Sequence, residues 1–244
     1  MGRVISFVYG VLAHLSFLLI LFYLIGFLAN VGVPKSIDSG PATPFGQALA
    51  INIALLALFA IPHSVMARPG FKQWWTTIIP THLERSTYVL ISNVFVVLLL
   101  WQWRPMTEVI WNVEHPVGTV VLWGLFGLGW FVLVFASFMI NHFDLFGTRQ
   151  VYLHLRGEDY TLPTFKATGF YKYIRHPLML GWLLGFWSTP QMTVGHLVFA
   201  VGTTVYILVA IQIEERDLVK FHGEAYEQYR RQVSMLLPFK KPPT

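Results

Sequence analysis

Long apolar stretches separated by short polar segments run along most of this chain. A helix needs about 20 mainly apolar residues to cross a bilayer, and four stretches meet or approach that length. These stretches are residues 4–29, 46–67, 87–103 and 117–140. Proline, glycine and aspartate lie in the segments between them and are typical of turns. The pattern therefore predicts four transmembrane helices, the first of which is too long to be the apolar part of a signal peptide.

The C-terminal part of the chain has a different pattern. Residues 178–188 are apolar but too few to span a bilayer comfortably, and Thr189-Pro190 interrupts them before residues 194–213 run back. This predicts a helical hairpin whose first arm begins near His176, with Pro177 at the favourable first-turn position. In residues 214–233, apolar side chains recur at helical spacing and predict an amphipathic tail helix on the cytoplasmic side.

Together these elements predict an all-α, polytopic membrane protein with five to six spans. We divide it into a four-span bundle, residues 1–140, and a C-terminal part with loop, hairpin and tail, residues 141–244. Glycines in the middle of predicted spans are interpreted as sites of close helix packing. These are the glycines of GLFGLG, residues 124–129, and the pair Gly181 and Gly185.

Composition supports a lipid environment and narrows the chemistry. Hydrophobic residues make up 55% of the chain and charged residues 12%, whereas soluble domains carry about 25% charged residues. The chain has no cysteine, which excludes disulfides, thiolate metal sites and a cysteine nucleophile. His14 and His196 have no second ligand at a suitable spacing, so we predict no metal site. We also expect no nucleic-acid partner.

The positive charges are distributed unevenly between the predicted loops. With the N-terminus inside, fifteen of the seventeen lysines and arginines fall on the inner side, and only Lys35 and Arg104 lie outside. Positive residues are enriched in cytoplasmic loops. This predicts that both termini are cytoplasmic. The long polar segments, residues 141–175 and the tail, share that side, so chemistry is expected there.

The hairpin is expected to bring two polar pairs together at the inner membrane surface. Arg175-His176 precedes the first arm, and Glu214-Glu215 lies where the second arm emerges. Adjacent carboxylates at a lipid boundary are costly unless they have partners. A polar ligand, or Arg175 and His176 themselves, would supply those partners.

Two C-terminal segments resemble the signature of the isoprenylcysteine carboxyl methyltransferase superfamily of membrane enzymes. They are GFYKYIRHPLMLG, residues 169–181, and EERDLVKFHGEAYEQYRRQV, residues 214–233. Three earlier segments resemble the bacterial methanethiol S-methyltransferases: PHSVMARPGFKQWW from residue 62, LERSTYVL from residue 83 and NHFDLFGTRQVYLHLRG from residue 141. The resemblance implies a membrane enzyme that uses S-adenosylmethionine to methylate the small thiol methanethiol, giving dimethyl sulfide.

The resemblance also implies which residues bind the cofactor. It places Tyr171, His176, Met179 and Glu214 on S-adenosylmethionine. Members of the superfamily usually have tyrosine where this chain has Met179, so no aromatic hydroxyl is expected there. A thioether can still pack against the cofactor, because methionine adapts to irregular apolar shapes.

The chemistry of S-adenosylmethionine suggests further contacts. Its carboxylate favours a bidentate arginine, for which Arg175 is the first candidate and Arg149 the second. Its ammonium and ribose hydroxyls need acceptors, and Glu215 is an alternative to Glu214. Phe165 is a candidate wall for the adenine, as are Tyr226 and Tyr229 in the tail.

The acceptor thiol must lose its proton, so a base near it would help. His142 and Asp144 follow the fourth predicted span, and His63 ends the second, all on the inner side. These three residues are the candidates for catalysis. The alternative for each is a polar cap at the end of a helix.

Two other functions remain open on sequence grounds. A sterol-type membrane reductase using NADPH shares an Arg-His-Pro motif, although such proteins are usually longer and carry cysteines near the end. A non-catalytic membrane protein associated with denitrification resembles the front half and would bind no cofactor.

Overall fold

A computed structural model describes residues 2–162 and 167–239 of the chain. Helices and two short strands account for its regular structure. The helices are α1 (Arg3–Ala29), α2 (Phe45–Met66), α3 (Pro69–Trp75), α4 (Thr81–Gln102), α5 (Pro116–Ile140), α6 (His142–Leu145), α7 (Thr148–Arg156), α8 (Pro177–Trp187), α9 (Val194–His222) and α10 (Glu224–Gln232). A 3₁₀ turn covers Gly169–Lys172, and strands β1 (Val109–Asn112) and β2 (Gln191–Thr193) pair in a two-stranded sheet.

Within the described residues, five helices are long and apolar enough to cross a bilayer: α1, α2, α4, α5 and α9. Helix α8 has 11 residues and is apolar but shorter. The predicted all-α, polytopic fold with five to six spans is therefore confirmed, and the chain is an integral membrane protein.

Three predicted boundaries differ from the structure. Helix α4 begins at Thr81 rather than residue 87, because a polar first turn containing Glu84 hides its start from a search for apolar residues. The segment from Arg68, predicted as a loop, forms α3 with Pro69 in the first turn. The predicted tail helix, residues 214–233, is interrupted at Gly223, whose φ of +58° suits glycine and ends α9.

The chain forms two compact units. Unit 1 comprises Met1–Ile110, His142–Leu162 and Met192–Phe199. Unit 2 comprises Trp111–Asn141, Pro163–Gln191 and Ala200–Thr244. Each unit has its own helix packing and its own set of polar contacts.

In unit 1, α1 packs against α4 and α7, and α2 packs against α4. Polar side chains link α1 to α4 inside this apolar bundle: Tyr9 is hydrogen-bonded to Thr87 at 3.0 Å, and Asn93 donates to Ser16 at 2.8 Å. A small hydrophobic cluster lies beside them. Its buried members are Met66, Tyr88, Val89 and Phe146.

In unit 2, α8 and α9 form the predicted hairpin. Trp187 at the end of α8 donates a hydrogen bond to Thr204 at 2.9 Å, and His176 at the start of α8 bonds Glu215 at 2.9 Å. The pairing of an early residue in one helix with a late residue in the other requires antiparallel helices. The fold-back expected from the Thr189-Pro190 break is therefore confirmed.

Helix α8 also packs closely against α5, through glycines on both helices. A Cβ built on Gly129 would lie 2.6 Å from the backbone nitrogen of Gly185, and one on Gly181 would lie 2.7 Å from the carbonyl oxygen of Gly129. The predicted role in helix packing is confirmed at these three glycines. Within the described part of the chain, Gly124 and Gly127 have no atom within 4 Å of such a Cβ.

This contrast gives a first prediction. Gly181→Ala should destabilise the protein by about 1–3 kcal/mol, because the added methyl group meets backbone atoms that cannot turn aside. Gly127→Ala is the matched control and should be neutral or slightly stabilising, since alanine is the better helix former. Unfolding in mixed detergent micelles would measure both. Equal stability of the two variants would contradict the close packing of α5 and α8.

Candidate functional site

The residues before α8 are held in place by the end of the chain. His176 is the N-cap residue of α8, and Pro177 occupies the first turn as predicted. The backbone nitrogen of Arg175 donates to the carbonyl of Ser234 at 2.8 Å, and that of His176 donates to the carbonyl of Met235 at 3.1 Å. The segment after α10 is thereby fastened alongside residues 174–176, which fixes where the Arg175 and His176 side chains begin.

A buried carboxylate joins these two side chains to α9. Oε1 of Glu215 accepts hydrogen bonds from Nε of Arg175 at 2.7 Å and from Nε2 of His176 at 2.9 Å. The side chains of Arg175 and Glu215 are only 8% and 6% exposed. Because a carboxylate oxygen accepts, Nε2 of His176 carries a proton here. The hairpin therefore brings together three of the predicted cofactor residues.

Arg175 has a second set of contacts, to the backbone of the tail. Its Nη1 donates to the carbonyl oxygens of Arg230, at 3.0 Å, and Val233. With Nε and Nη1 both engaged, the guanidinium cannot present its full fork to a ligand carboxylate. A bidentate role for Arg175 would require some of these contacts to break, and it stays a prediction; in the structure the residue ties α8, α9 and α10 together.

The two adjacent glutamates of α9 have different surroundings. Glu214 has a side chain that is 47% exposed, and its Oε2 lies 3.8 Å from Nδ1 of His176, beyond hydrogen-bond distance. Glu215 is buried and committed to Arg175 and His176. Glu214 is therefore the member of the pair that is open to a ligand.

Tyrosines of the tail and the 3₁₀ turn surround this cluster. Tyr229 donates its hydroxyl hydrogen to the backbone carbonyl of Tyr171 at 2.6 Å, and Tyr226 is buried. Burial raises the pKa of Tyr229 to about 12. The hydroxyl oxygen of Tyr171 is buried and has no hydrogen-bond partner among residues 2–162 and 167–239. Burial, and then the charge of Glu214, raise the pKa of Tyr171, so this hydroxyl stays protonated.

One other predicted cofactor residue of the described chain belongs to the same unit. Met179 is half-buried in the first turn of α8, three residues after His176, so its side chain lies on the same side of the helix. Phe165 lies outside the described residues. Arg149 belongs to unit 1, where its Nη1 forms an ion pair with Asp144 at 3.3 Å and also donates to the backbone oxygen of Thr161.

The predicted catalytic residues all lie in unit 1. Asp144 is bound by Arg149 and accepts a hydrogen bond from the hydroxyl of Tyr160 at 3.1 Å. His63 lies 2.8 Å from the hydroxyl of Tyr88, through Nε2, and 2.9 Å from that of Ser92, through Nδ1. These hydrogen bonds are compatible with a structural role for Asp144 and for His63, in addition to any part that they take in catalysis.

His142 has a partner that sequence reasoning missed. Its Nε2 lies 3.0 Å from Nε2 of His14, and Nδ1 of His14 lies 3.0 Å from the hydroxyl of Thr148. Burial, together with the nearby His14 ring, lowers the pKa of His142 to about 4, so the ring is neutral at pH 7. The sequence predicts a lone histidine at position 14, because no spacing rule connects it to a residue 128 positions away; the structure corrects this. Within the described ranges, no group of three potential ligands could hold a metal ion.

Comparison with known proteins identifies the family. The family model described as NnrU protein matches residues 51–237. A methanethiol S-methyltransferase of Mycobacterium tuberculosis is 54% identical over 98% of this chain and 98% of its own length. The chain belongs to the methanethiol S-methyltransferase family.

Other members of the methanethiol S-methyltransferase family match almost as well. The protein of that name from Crocosphaera subtropica is 53% identical over 98% of this chain and 94% of its own length. Methanethiol S-methyltransferase 1 of Bradyrhizobium diazoefficiens is 48% identical over 98% of this chain and 84% of its own length. No solved structure matches the chain significantly. The resemblance seen in the sequence motifs is therefore confirmed across nearly the whole chain.

Proposed function

We propose that this protein is a membrane methyltransferase that transfers a methyl group from S-adenosylmethionine to methanethiol and so produces dimethyl sulfide. Similarity over nearly the full length to relatives named for methyl transfer to this thiol supports the reaction. The observation that carries the cofactor assignment is the buried Tyr171 hydroxyl, which has no hydrogen-bond partner in the described part of the chain and whose pKa is raised by burial and then by the charge of Glu214. Neither of the alternative functions is better supported.

The donor set in unit 2 fits the polar end of S-adenosylmethionine. The half-exposed carboxylate of Glu214 suits the ammonium or the ribose hydroxyls, and the Tyr171 hydroxyl can donate to an oxygen. Buried polar groups are normally hydrogen-bonded, so a buried hydroxyl without a partner in the described chain points to a ligand as the missing partner. The sulfonium of the cofactor would supply the electrophilic methyl group.

The remaining residues of unit 2 would position the cofactor. Glu215 holds Arg175 and His176 in fixed orientations, and Nδ1 of His176 points towards Glu214. Arg175 would help through this frame rather than as a carboxylate clamp. Met179 offers a polarisable thioether on the same side of α8, and Phe165 is retained as a candidate wall for the adenine.

In unit 1, we assign the deprotonation of the thiol to His142. Its neutral ring can accept a proton, whereas both oxygens of Asp144 already accept hydrogen bonds. Asp144 would then hold Arg149 and Tyr160 in place. His63 would act on the site only indirectly, through its hydrogen bond to the hydroxyl of Tyr88. Proximity of the reactants contributes much of the acceleration in such bimolecular transfers, so a weak base can suffice.

We further propose that the protein lies in a bacterial inner membrane with both termini in the cytoplasm. The distribution of lysine and arginine supports this orientation, since fifteen of the seventeen fall on that side. The antiparallel hairpin of α8 and α9 is compatible with it, because a hairpin returns the chain to the side from which it entered.

Ligand-induced stabilisation separates the three candidate functions. A ligand at 100 times its dissociation constant should stabilise the folded protein by about 2.7 kcal/mol. In detergent, we expect S-adenosylmethionine and its demethylated product each to raise the melting temperature by the amount that corresponds to this stabilisation. Stabilisation by NADPH alone would support the reductase, and no shift with any of the three would support the non-catalytic protein.

Removing the Tyr171 hydroxyl gives a second prediction, with opposite effects on stability and affinity. Tyr171→Phe should leave the ligand-free protein as stable as the wild type or about 1 kcal/mol more stable, because a buried hydroxyl without a partner is lost. The same change should weaken binding of S-adenosylmethionine about fivefold to tenfold, the worth of one neutral hydrogen bond. Calorimetric titration and unfolding in detergent measure the two effects. Unchanged affinity would remove Tyr171 from the site.

A further inference from the structure

His14 and His142 form a buried pair of imidazole rings in unit 1. Their Nε2 atoms are 3.0 Å apart, so one ring donates a hydrogen bond and the other accepts it. The hydrogen bond therefore contains one proton, which can be covalently bound to Nε2 of either ring. Nδ1 of His14 lies 3.0 Å from the half-buried hydroxyl of Thr148, which extends the series of hydrogen bonds by one group.

Aromatic side chains shield this pair from water. The ring of Phe146 stacks on His14 at a centroid distance of 4.8 Å and an angle of 10°, and it lies 4.8 Å from His142. Phe143 meets His14 edge-on at 6.2 Å. In such surroundings an imidazolium is disfavoured unless a neighbouring group accepts a hydrogen bond from it. The second ring is such an acceptor.

A purely mechanical link between helices would not need two titratable rings. The same helix α1 is joined to α4 by Tyr9 with Thr87 and by Asn93 with Ser16, through hydroxyl and amide groups rather than imidazole rings. Ionisable residues within membrane helices are costly and are commonly functional. The use of histidine at position 14 therefore calls for a function that an amide or hydroxyl cannot perform.

We infer that His14 acts with His142 as a two-ring acceptor for the proton of the thiol substrate, with Thr148 as the next group on the way to water. This inference rests on the proposed function. As the S–H bond breaks, the proton passes to the ring pair. The electron pair left on sulfur forms the new C–S bond, and the old methyl–sulfur bond of the sulfonium donor breaks with its electrons returning to that sulfur. The proton then leaves the pair for water.

Sharing the proton explains how a weak base could serve. The pKa of His142 is about 4, and a single ring with that value would hold a thiol proton poorly. An imidazolium that donates to a second imidazole forms a charge-assisted hydrogen bond, which is roughly twice as strong as a neutral one. A neutral His14 ring would thus stabilise the protonated state of His142, whereas a charged His14 ring would repel it and lower the pKa of His142. We regard His14 as a positioning residue for proton transfer.

Thiol acidity provides the test. In His14→Gln, kcat for methanethiol should fall roughly a hundredfold, the usual contribution of general base catalysis. The loss should be much smaller for trifluoroethanethiol, a more acidic thiol that needs less help. The double variant His14→Gln/His142→Gln should be no slower than the slower single variant, because the two rings act as one unit. The control is His154→Gln, which removes a ring of unit 1 that stacks on His82 and should leave kcat unchanged.

Two measurements besides turnover distinguish this role from a structural one. S-adenosylmethionine should bind His14→Gln with wild-type affinity. In protein labelled with ¹⁵N-histidine, the wild type should show a nitrogen–nitrogen coupling across the shared hydrogen bond, and His14→Gln should lack it. Equal losses on the two thiols, or no such coupling in the wild type, would overturn the inference. A wild type that methylates neither thiol would instead overturn the proposed function.

Discussion

Glu215→Ala should be the most destabilising single substitution in the proposed cofactor site, costing about 3–5 kcal/mol of unfolding free energy. The substitution leaves the Arg175 guanidinium buried without its counter-charge, and His176 loses its hydrogen-bond acceptor. It also loosens the connection between the start of α8 and the emerging end of α9. Unfolding in mixed detergent micelles would measure the loss.

The neighbouring glutamate provides the matched control for this prediction. Glu214→Ala removes the same group one residue earlier on the same helix, from a side chain that is 47% exposed. It should change the unfolding free energy by no more than about 0.5 kcal/mol, as is usual for surface positions. If the two variants were equally stable, the buried frame of Arg175, His176 and Glu215 would not be what holds the hairpin together.

Affinity for the cofactor should show the reverse order of effects. Glu214→Ala should weaken binding of S-adenosylmethionine between about tenfold and a hundredfold, because a hydrogen bond to a charged group contributes about 1.5–3 kcal/mol. The fold should stay intact, so the loss can be assigned to the site. Calorimetric titration of the purified protein gives the dissociation constants directly.

A second substitution at this position identifies which part of the cofactor Glu214 meets. Glu214→Gln keeps an oxygen that can accept from a ribose hydroxyl but removes the charge that attracts an ammonium. A loss as large as that of Glu214→Ala would indicate the ammonium, and a much smaller loss would indicate the ribose. Wild-type affinity in both variants would contradict the placement of the cofactor beside Glu214.

The hairpin could be predicted from sequence because its signals are local. A proline break between two apolar runs requires the chain to reverse, and antiparallel helices then bring Arg175-His176 to Glu214-Glu215. The same reasoning could not divide roles within each pair. Which glutamate is buried depends on the rotation of α9 about its axis relative to α8. The hydrogen bonds of Arg175 to the backbone of the tail depend on where the chain runs after Gly223.

The contacts of His14, by contrast, could not be predicted from the sequence. The residue lies in the first span, and His142 lies after the fourth, so only packing brings the two rings together. Helix periodicity predicts which face of a helix is apolar, but it cannot indicate which other helix that face meets. The start of α4 was missed for a related reason, since its first turn is polar and its apolar signal begins six residues later.

We expect this protein to move a methyl group from S-adenosylmethionine to methanethiol, and isotope labelling tests this most directly. Purified protein in detergent should be given S-adenosylmethionine with a trideuterated methyl group and unlabelled methanethiol, and the headspace gas analysed by mass spectrometry. We predict dimethyl sulfide with one CD₃ group and one CH₃ group, formed by the wild type and much more slowly by Glu214→Ala. Absence of trideuterated dimethyl sulfide from a protein that binds the cofactor would contradict it.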